Sequence, residues 1–203
     1  MWELVLTLVP FAISMAATPG PNNVLVAASA TNFGLRRTLP SVFGVVLGFG
    51  LMILLVGLGL GQVLERFPLL HTGLKYAGAA YLLYLAWRIA NAGGGATASG
   101  GAAARDTSRP PSFIEGALFQ WVNPKAWIVA LGAIATYTVA EISLALQAMV
   151  IASVFVVVAL PSVGAWALLG AGAARFLQTP RRLRAFNLAM ASLLIFSIAT
   201  LFL

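Results

Sequence analysis

Two short segments hold the residues best suited to chemistry: Thr18-Pro19-Gly20-Pro21-Asn22-Asn23 and Asn123-Pro124-Lys125. Thr18 and Gly20 each precede a proline, which pushes both away from helical dihedrals. Pro19 and Pro21 carry no backbone N–H, so the first segment interrupts any helix that enters it. In the second segment Asn123 is suited to cap a helix, with Pro124 at the first helical position, where a missing donor costs nothing. Lys125 then falls in the first turn. Each segment therefore opens a helix N-terminus, whose unpaired N–H groups and partial positive charge attract an anion. The expected ligand group is a carboxylate, held by the backbone after Pro21 and Pro124 and by Lys125. Asn22, Asn23 and Asn123 would cap the termini or bond an ammonium group, which Thr18 and the unwound carbonyls around Gly20 could also take.

Composition removes the competing chemistries. The chain has 203 residues with no Cys and one His, His71, which excludes thiol catalysis, zinc–thiolate sites and multi-histidine metal centres. No cofactor is expected. Apolar residues make up 61% of the chain and charged residues 8%, against about 45–50% and about 25% in soluble domains. Mean hydropathy is +0.96. A water-soluble globule of this composition would have little to cover its surface, so the chain reads as an integral membrane protein of the all-α class. A nucleic-acid binder is excluded, and the net charge of +7 takes another meaning.

That meaning is sidedness. Runs of the roughly 20 apolar residues that a spanning helix needs predict six spans, at 2–33, 39–64, 69–90, 113–138, 142–174 and 183–203. With six spans one side of the membrane receives Arg36, Arg37, Arg88, Arg105, Arg109, Arg175, Arg181, Arg182 and Arg184. The other receives Arg66 together with Glu3, Glu65 and Glu141. Short cytoplasmic loops collect Lys and Arg, so both termini are expected outside the cytoplasm and the basic loops inside. Residues 2–17 lack the basic start of a signal peptide and are expected to stay as a helix. As one helix, span 1 would be about 48 Å long against a core of about 30 Å, which a break resolves.

The Gly-rich stretch 91–112 reads as a flexible linker between two three-helix units, 1–90 and 113–203. An odd number of spans per unit makes the halves opposite in orientation, a 3+3 inverted repeat in which spans 1 and 4 carry the two breaks at matching depth. Unwound backbone at that depth is tolerated only inside protein or beside a water-filled cavity. Lys125 costs roughly 2.5–3.5 kcal/mol to insert at mid-span and should face such a cavity. It would hold a carboxylate, exchange a proton, or bond carbonyls freed by the other break. Gly44/Gly48 and Gly57/Gly61 have the GxxxG spacing of close helix packing. Glu115 reads as an interfacial carboxylate. Gly170-Ala171-Gly172 is no dinucleotide fingerprint, since no strand precedes it.

At these residues the sequence resembles the LysE/RhtB family of bacterial amino-acid exporters, over nearly its whole length. The resemblance is carried by Thr18-Pro19-Gly20-Pro21-Asn22 followed by Gly34, Arg36, Gly44 and Gly48, and by Asn123-Pro124-Lys125-Ala126. Lys75-Tyr76-Ala77-Gly78, Tyr81-Leu82 and Asn187 add to it. Thr38, Pro40 and Ala191 depart from the family pattern. The resemblance implies an inner-membrane carrier that expels amino acids or close derivatives and is driven by the proton gradient. No Asp or Glu lies deep in a predicted span, which favours neutral substrates over basic ones. A channel for small solutes and a non-transporting scaffold are the alternatives. The partners expected are the bilayer, an amino-acid substrate and protons, and the small-residue helix faces leave room for a homodimer.

Overall fold

The computed structural model describes residues 2–92 and 109–199. Among these residues the chain forms helices and no strand: α1 (Trp2–Ala17), α2 (Pro21–Phe33), α3 (Leu35–Leu55), α4 (Gly61–Arg66), α5 (Pro68–Asn91), α6 (Phe113–Val122), α7 (Pro124–Tyr137), α8 (Leu144–Ala173) and α9 (Pro180–Ala199). A wider helical turn at Val56–Leu60 joins α3 to α4, with Gly59 at φ 112° inside it. Most of the expected 91–112 linker, with Arg105, lies outside the described residues, as does the side chain of His71.

Prolines set many of the helix starts. Pro21, Pro68 and Pro124 each stand in the first turn of their helix, where their fixed φ is already helical and no hydrogen bond is lost. The start of α6 is instead fixed by a capping box: Ser112 accepts from the Glu115 N–H while the Glu115 carboxylate accepts from the Ser112 N–H, which satisfies two donors at once.

Two boundaries differ from the sequence expectation. The loop expected at 34–38 is a single residue, Gly34, at φ 84°, a conformation that favours glycine. Arg36 and Arg37 lie in the first turn of α3. Likewise Arg181 and Arg182, expected in the loop before the span at 183–203, are already on α9 with Arg184. Charge was read as a loop signal in both places, whereas long basic side chains extend to water from a helix end while their stems stay apolar.

The exterior is apolar. Val157 and Phe196 are 71% and 72% exposed, as side chains facing lipid are. Among the described residues, α3 with its continuation to Val63, α8 and α9 are each long and apolar enough to cross a bilayer. The pair α1–α2 meets the same test together, bent by 50°. Inside, α3 packs chiefly on α6 and α8, α8 also on α1 and α2, and α5 on α9. Two buried apolar clusters result. One joins Val24, Leu25, Val45, Leu82, Phe119 and Leu194, and the other joins Leu8, Met52, Ile53, Val129, Ile151 and Phe155. Of the two GxxxG pairs, Gly44 and Gly48 lie at the close crossing of α3 and α6, whereas Gly57 faces Ala148 on α8 and Gly61 the Leu131 side chain on α7. A Cβ on Gly48 would stand 2.5 Å from the Ala117 Cα, and one on Gly44 would meet the Phe113 carbonyl.

Candidate functional site

The two broken segments meet. Helix α1 ends at Ala17 and α2 starts at Pro21, while α6 ends at Val122 and α7 starts at Pro124. Between them is a cavity whose polar wall is formed by Gly20, Asn22, Asn23, Asn123 and Lys125. The remaining wall is apolar, with Phe49 from α3, Val129 from α7 and Phe155 and Val163 from α8. Among the described residues, no carboxylate lines it. Of the eight residues singled out from the sequence, Thr18, Pro21 and Pro124 do not line the cavity; they shape the backbone around it.

Lys125 reaches across the break and donates from Nζ to the Thr18 carbonyl at 2.7 Å. Its stem runs so close under Gly20 that a Cβ there would lie 2.9 Å from the lysine Cδ, so glycine is the residue that lets this side chain pass. Asn23 donates to the same Thr18 carbonyl at 3.0 Å and to the Ala16 carbonyl at 3.2 Å. Two carbonyls at the unwound turn, those of Ala16 and Thr18, are thus met by side chains, as polar backbone groups away from water require. Thr18 itself bonds back to the Ser14 carbonyl through its hydroxyl, leaving that hydroxyl turned along α1.

The helix starts at the two breaks differ. At α7, Asn123 closes the terminus itself: its Oδ1 accepts from the Lys125 N–H at 3.1 Å, and its carbonyl accepts from the Ala126 N–H at 3.0 Å. Trp127 bridges the same break by donating its indole N–H to the Trp121 carbonyl. At α2 the cap residue is Gly20, which has no side chain to offer, and no side-chain cap is present. The first N–H groups of α2 are therefore left open beside Lys125, while those of α7 are taken.

One residue of the site was not singled out from the sequence. Gln120, fully buried, exchanges two hydrogen bonds with Asn22, at 2.9 and 3.0 Å, and Asn123 donates to the same Asn22 Oδ1 at 3.1 Å. A lone amide one turn before Asn123 in an otherwise apolar run was the available signal.

A second cavity lies between the end of α2, the end of α5 and residues 109–111 and includes Ser29, Asn32, Arg88 and Arg109. Its polar groups are paired. Arg88, 5% exposed, donates to Glu115 at 3.0 Å and to the Arg109 carbonyl at 3.0 Å, and Arg109 meets Glu115 at 2.6 Å. Asn32 and Asn187 bond each other in both directions, and Ser29 bonds Thr38. This region fastens α2, α3, α5, α6 and α9 together. Glu115, read as a plain interfacial carboxylate, is the centre of that fastening, and Thr38, a departure from the family pattern, is part of it.

Helical throughout its described residues, with an apolar exterior and an amide- and lysine-walled cavity where its helix breaks meet, the chain is a multi-pass membrane protein. The chain belongs to the LysE type translocator family, whose model matches residues 13–203. That is a family of translocators, not of enzymes. Among similar proteins are the cysteine/O-acetylserine efflux proteins of Escherichia coli strain K12, 33% identical over 132 residues, and of Klebsiella pneumoniae, 33% identical over 137 residues. The first match covers 64% of each chain, and the second 66% of this chain and 65% of the relative, so the chain spans just under two thirds of those relatives. No solved structure matches it.

Proposed function

We propose that this protein is a secondary carrier exporting neutral amino acids or close derivatives from the cytoplasm, with its substrate site in the cavity between the two breaks. The observation that carries the reading is the composition of that cavity: an open helix start and a lysine on one wall, apolar side chains elsewhere, and no carboxylate among the described residues. The substrate carboxylate is held by the first N–H groups of α2 and by Lys125; the closed start of α7 gives Lys125 its place. A neutral side chain meets Phe49, Val129 and Phe155, and a cationic one finds no counter-ion. The relatives named for cysteine and O-acetylserine efflux agree in type, both being uncharged at the side chain.

The proposed architecture is six spans in a 3+3 inverted repeat, with units 1–90 and 113–203 joined by the linker 91–112. The packing supports it. The second spans of the halves pair as α3 on α8, and the third as α5 on α9. Each first span leans on the second span of the other half, α1 and α2 on α8, and α6 on α3. A two-fold axis in the membrane plane generates that set of pairs. Export is coupled to protons, and Lys125 is the titratable side chain that lines the cavity. The protein resides in the bacterial inner membrane with both termini outside the cytoplasm.

Counterflow in proteoliposomes tests the activity. Preloading with unlabelled neutral amino acids should drive transient, saturable uptake of the labelled compound, and an imposed pH gradient should change net flux. Absence of exchange for every amino acid tried, from folded protein, would overturn the carrier reading. Orientation has its own test. Because the chain has no Cys, single introduced cysteines report sidedness directly: in intact cells Glu141→Cys should react with a membrane-impermeant thiol reagent, and Arg181→Cys should react only after lysis. The reverse pattern would invert the topology.

A further inference from the structure

The sequence marked the two breaks, which bond each other directly through Lys125 and Asn123, and a residue outside both adds a further tie between them. We propose that Gln120 is a positioning residue for the substrate site, acting through Asn22 to fix the first turn of α2 and the direction of its open N–H groups. The inference rests on the carrier reading above and adds a residue to it.

The geometry is a closed chain of amides. The Gln120 Nε2 donates to the Gly116 carbonyl one turn back at 3.0 Å and to the Asn22 Oδ1 at 3.0 Å. Its Oε1 accepts from the Asn22 Nδ2 at 2.9 Å. Asn22 Oδ1 also accepts from Asn123 Nδ2, whose own oxygen caps Lys125. The polarity of every amide is therefore set: Asn22 Oδ1 receives two donors and cannot be exchanged with its nitrogen without putting three NH2 groups together. A single network thus runs from α6 through α2 to the first turn of α7.

This arrangement places the parts of the site relative to one another. Asn22 stands in the uncapped first turn of α2, and its side chain is bonded to Gln120 on α6 and to Asn123 at the start of α7, so it orients the helix start. Gln120 does not line the cavity, so its effect on a ligand passes through Asn22. A residue needed for volume alone would be met by leucine at this fully buried position. An amide that exchanges two bonds is needed only where the direction of its partner matters.

Counterflow kinetics of purified protein in proteoliposomes, normalised to folded protein, test the assignment. Gln120→Leu should raise the KM for the exchanged amino acid about tenfold and leave the maximal rate within about twofold. Gln120→Asn, a milder change that keeps the amide, should raise KM by shortening the bridge. In the double variant Asn22→Gln with Gln120→Asn the summed side-chain length across the bridge is restored, and KM should return most of the way to wild type. A role in packing alone predicts instead that Gln120→Leu, close to glutamine in volume and without the amide, leaves KM unchanged. Unchanged KM in Gln120→Leu, or in Gln120→Asn if the leucine variant does not fold, would overturn the assignment. A double variant no better than Gln120→Asn would overturn it as well. Wild-type protein that exchanges no amino acid would remove the carrier reading and this inference together, whereas wild-type exchange with indifferent variants removes the inference alone.

Discussion

Replacing Lys125 by methionine is expected to lower counterflow at sub-saturating substrate by about 10- to 100-fold per folded protein, mainly through KM, without lowering thermal stability. The first part follows from the ligand. A hydrogen bond to a charged group contributes about 1.5–3 kcal/mol, and each 1.4 kcal/mol is about tenfold in affinity; methionine keeps the length of the stem and loses the ammonium. The second part follows from the membrane. A lysine at this depth costs roughly 2.5–3.5 kcal/mol to insert, which its bond to the Thr18 carbonyl offsets in part. Removing it does not orphan that carbonyl, because Asn23 still donates to it. Function and stability should therefore move apart. If Lys125 served only to satisfy the unwound backbone, the variant would melt earlier and whatever remained folded would exchange normally. That outcome, or unchanged exchange with unchanged melting, would sink the role proposed for Lys125.

Much of this site was legible because its signals are local. A proline two residues from another breaks a helix whatever surrounds it, and Asn before Pro caps one, so Pro19, Pro21, Asn123 and Pro124 could be read with no knowledge of the partner helix. Gly44 and Gly48 were legible for a similar reason, their spacing placing both on one face. Four features were not. The pairing of Gln120 with Asn22 joins positions 98 apart in sequence, and nothing near Gln120 indicates that an amide will be met there. Arg88 was read for its sign alone, and a charge that marks the cytoplasmic side looks the same in sequence whether it ends in water or, as here, nearly buried against Glu115. Gly170 was read against a nucleotide motif and dismissed. Its place is set by the backbone of α2, where a Cβ would meet the Ala27 carbonyl and where Thr31 donates to its oxygen at 2.8 Å. The asymmetry of the two helix starts also needed coordinates. Both read as anion sites, and only the caps distinguish the closed α7 from the open α2.

The other large effect is expected at Gly48. In membranes helices gain little from burying apolar surface, since lipid is as apolar as leucine, and small residues that let backbones approach supply the packing instead. At the α3–α6 crossing the approach is backbone to backbone: a Cβ on Gly48 would lie 2.5 Å from the Ala117 Cα and 2.8 Å from its carbonyl oxygen, and on the facing side one on Gly116 would lie 2.7 Å from the Ser41 carbonyl oxygen. No rotamer change relieves a clash with main chain, so Gly48→Leu must part the helices. Forcing extra methylenes into a packed interior typically costs about 1–3 kcal/mol when side chains can give way, and here they cannot. The expected result is loss of most monodisperse protein in detergent. Gly48→Ala should give a folded but clearly destabilised variant with impaired exchange, because α6 carries Gln120 and leads directly into Asn123. Gly132→Ala and Gly164→Ala are the controls. Nothing lies within 4 Å of a Cβ at either position, and alanine in a helix is favoured over glycine by roughly 0.5–1 kcal/mol, so both should melt at or above wild type. If all three alanine variants melted alike, the crossing of α3 and α6 would not be the close one described. The packing that sets the site's polar wall would then have to come from α8, which touches both α2 and α3.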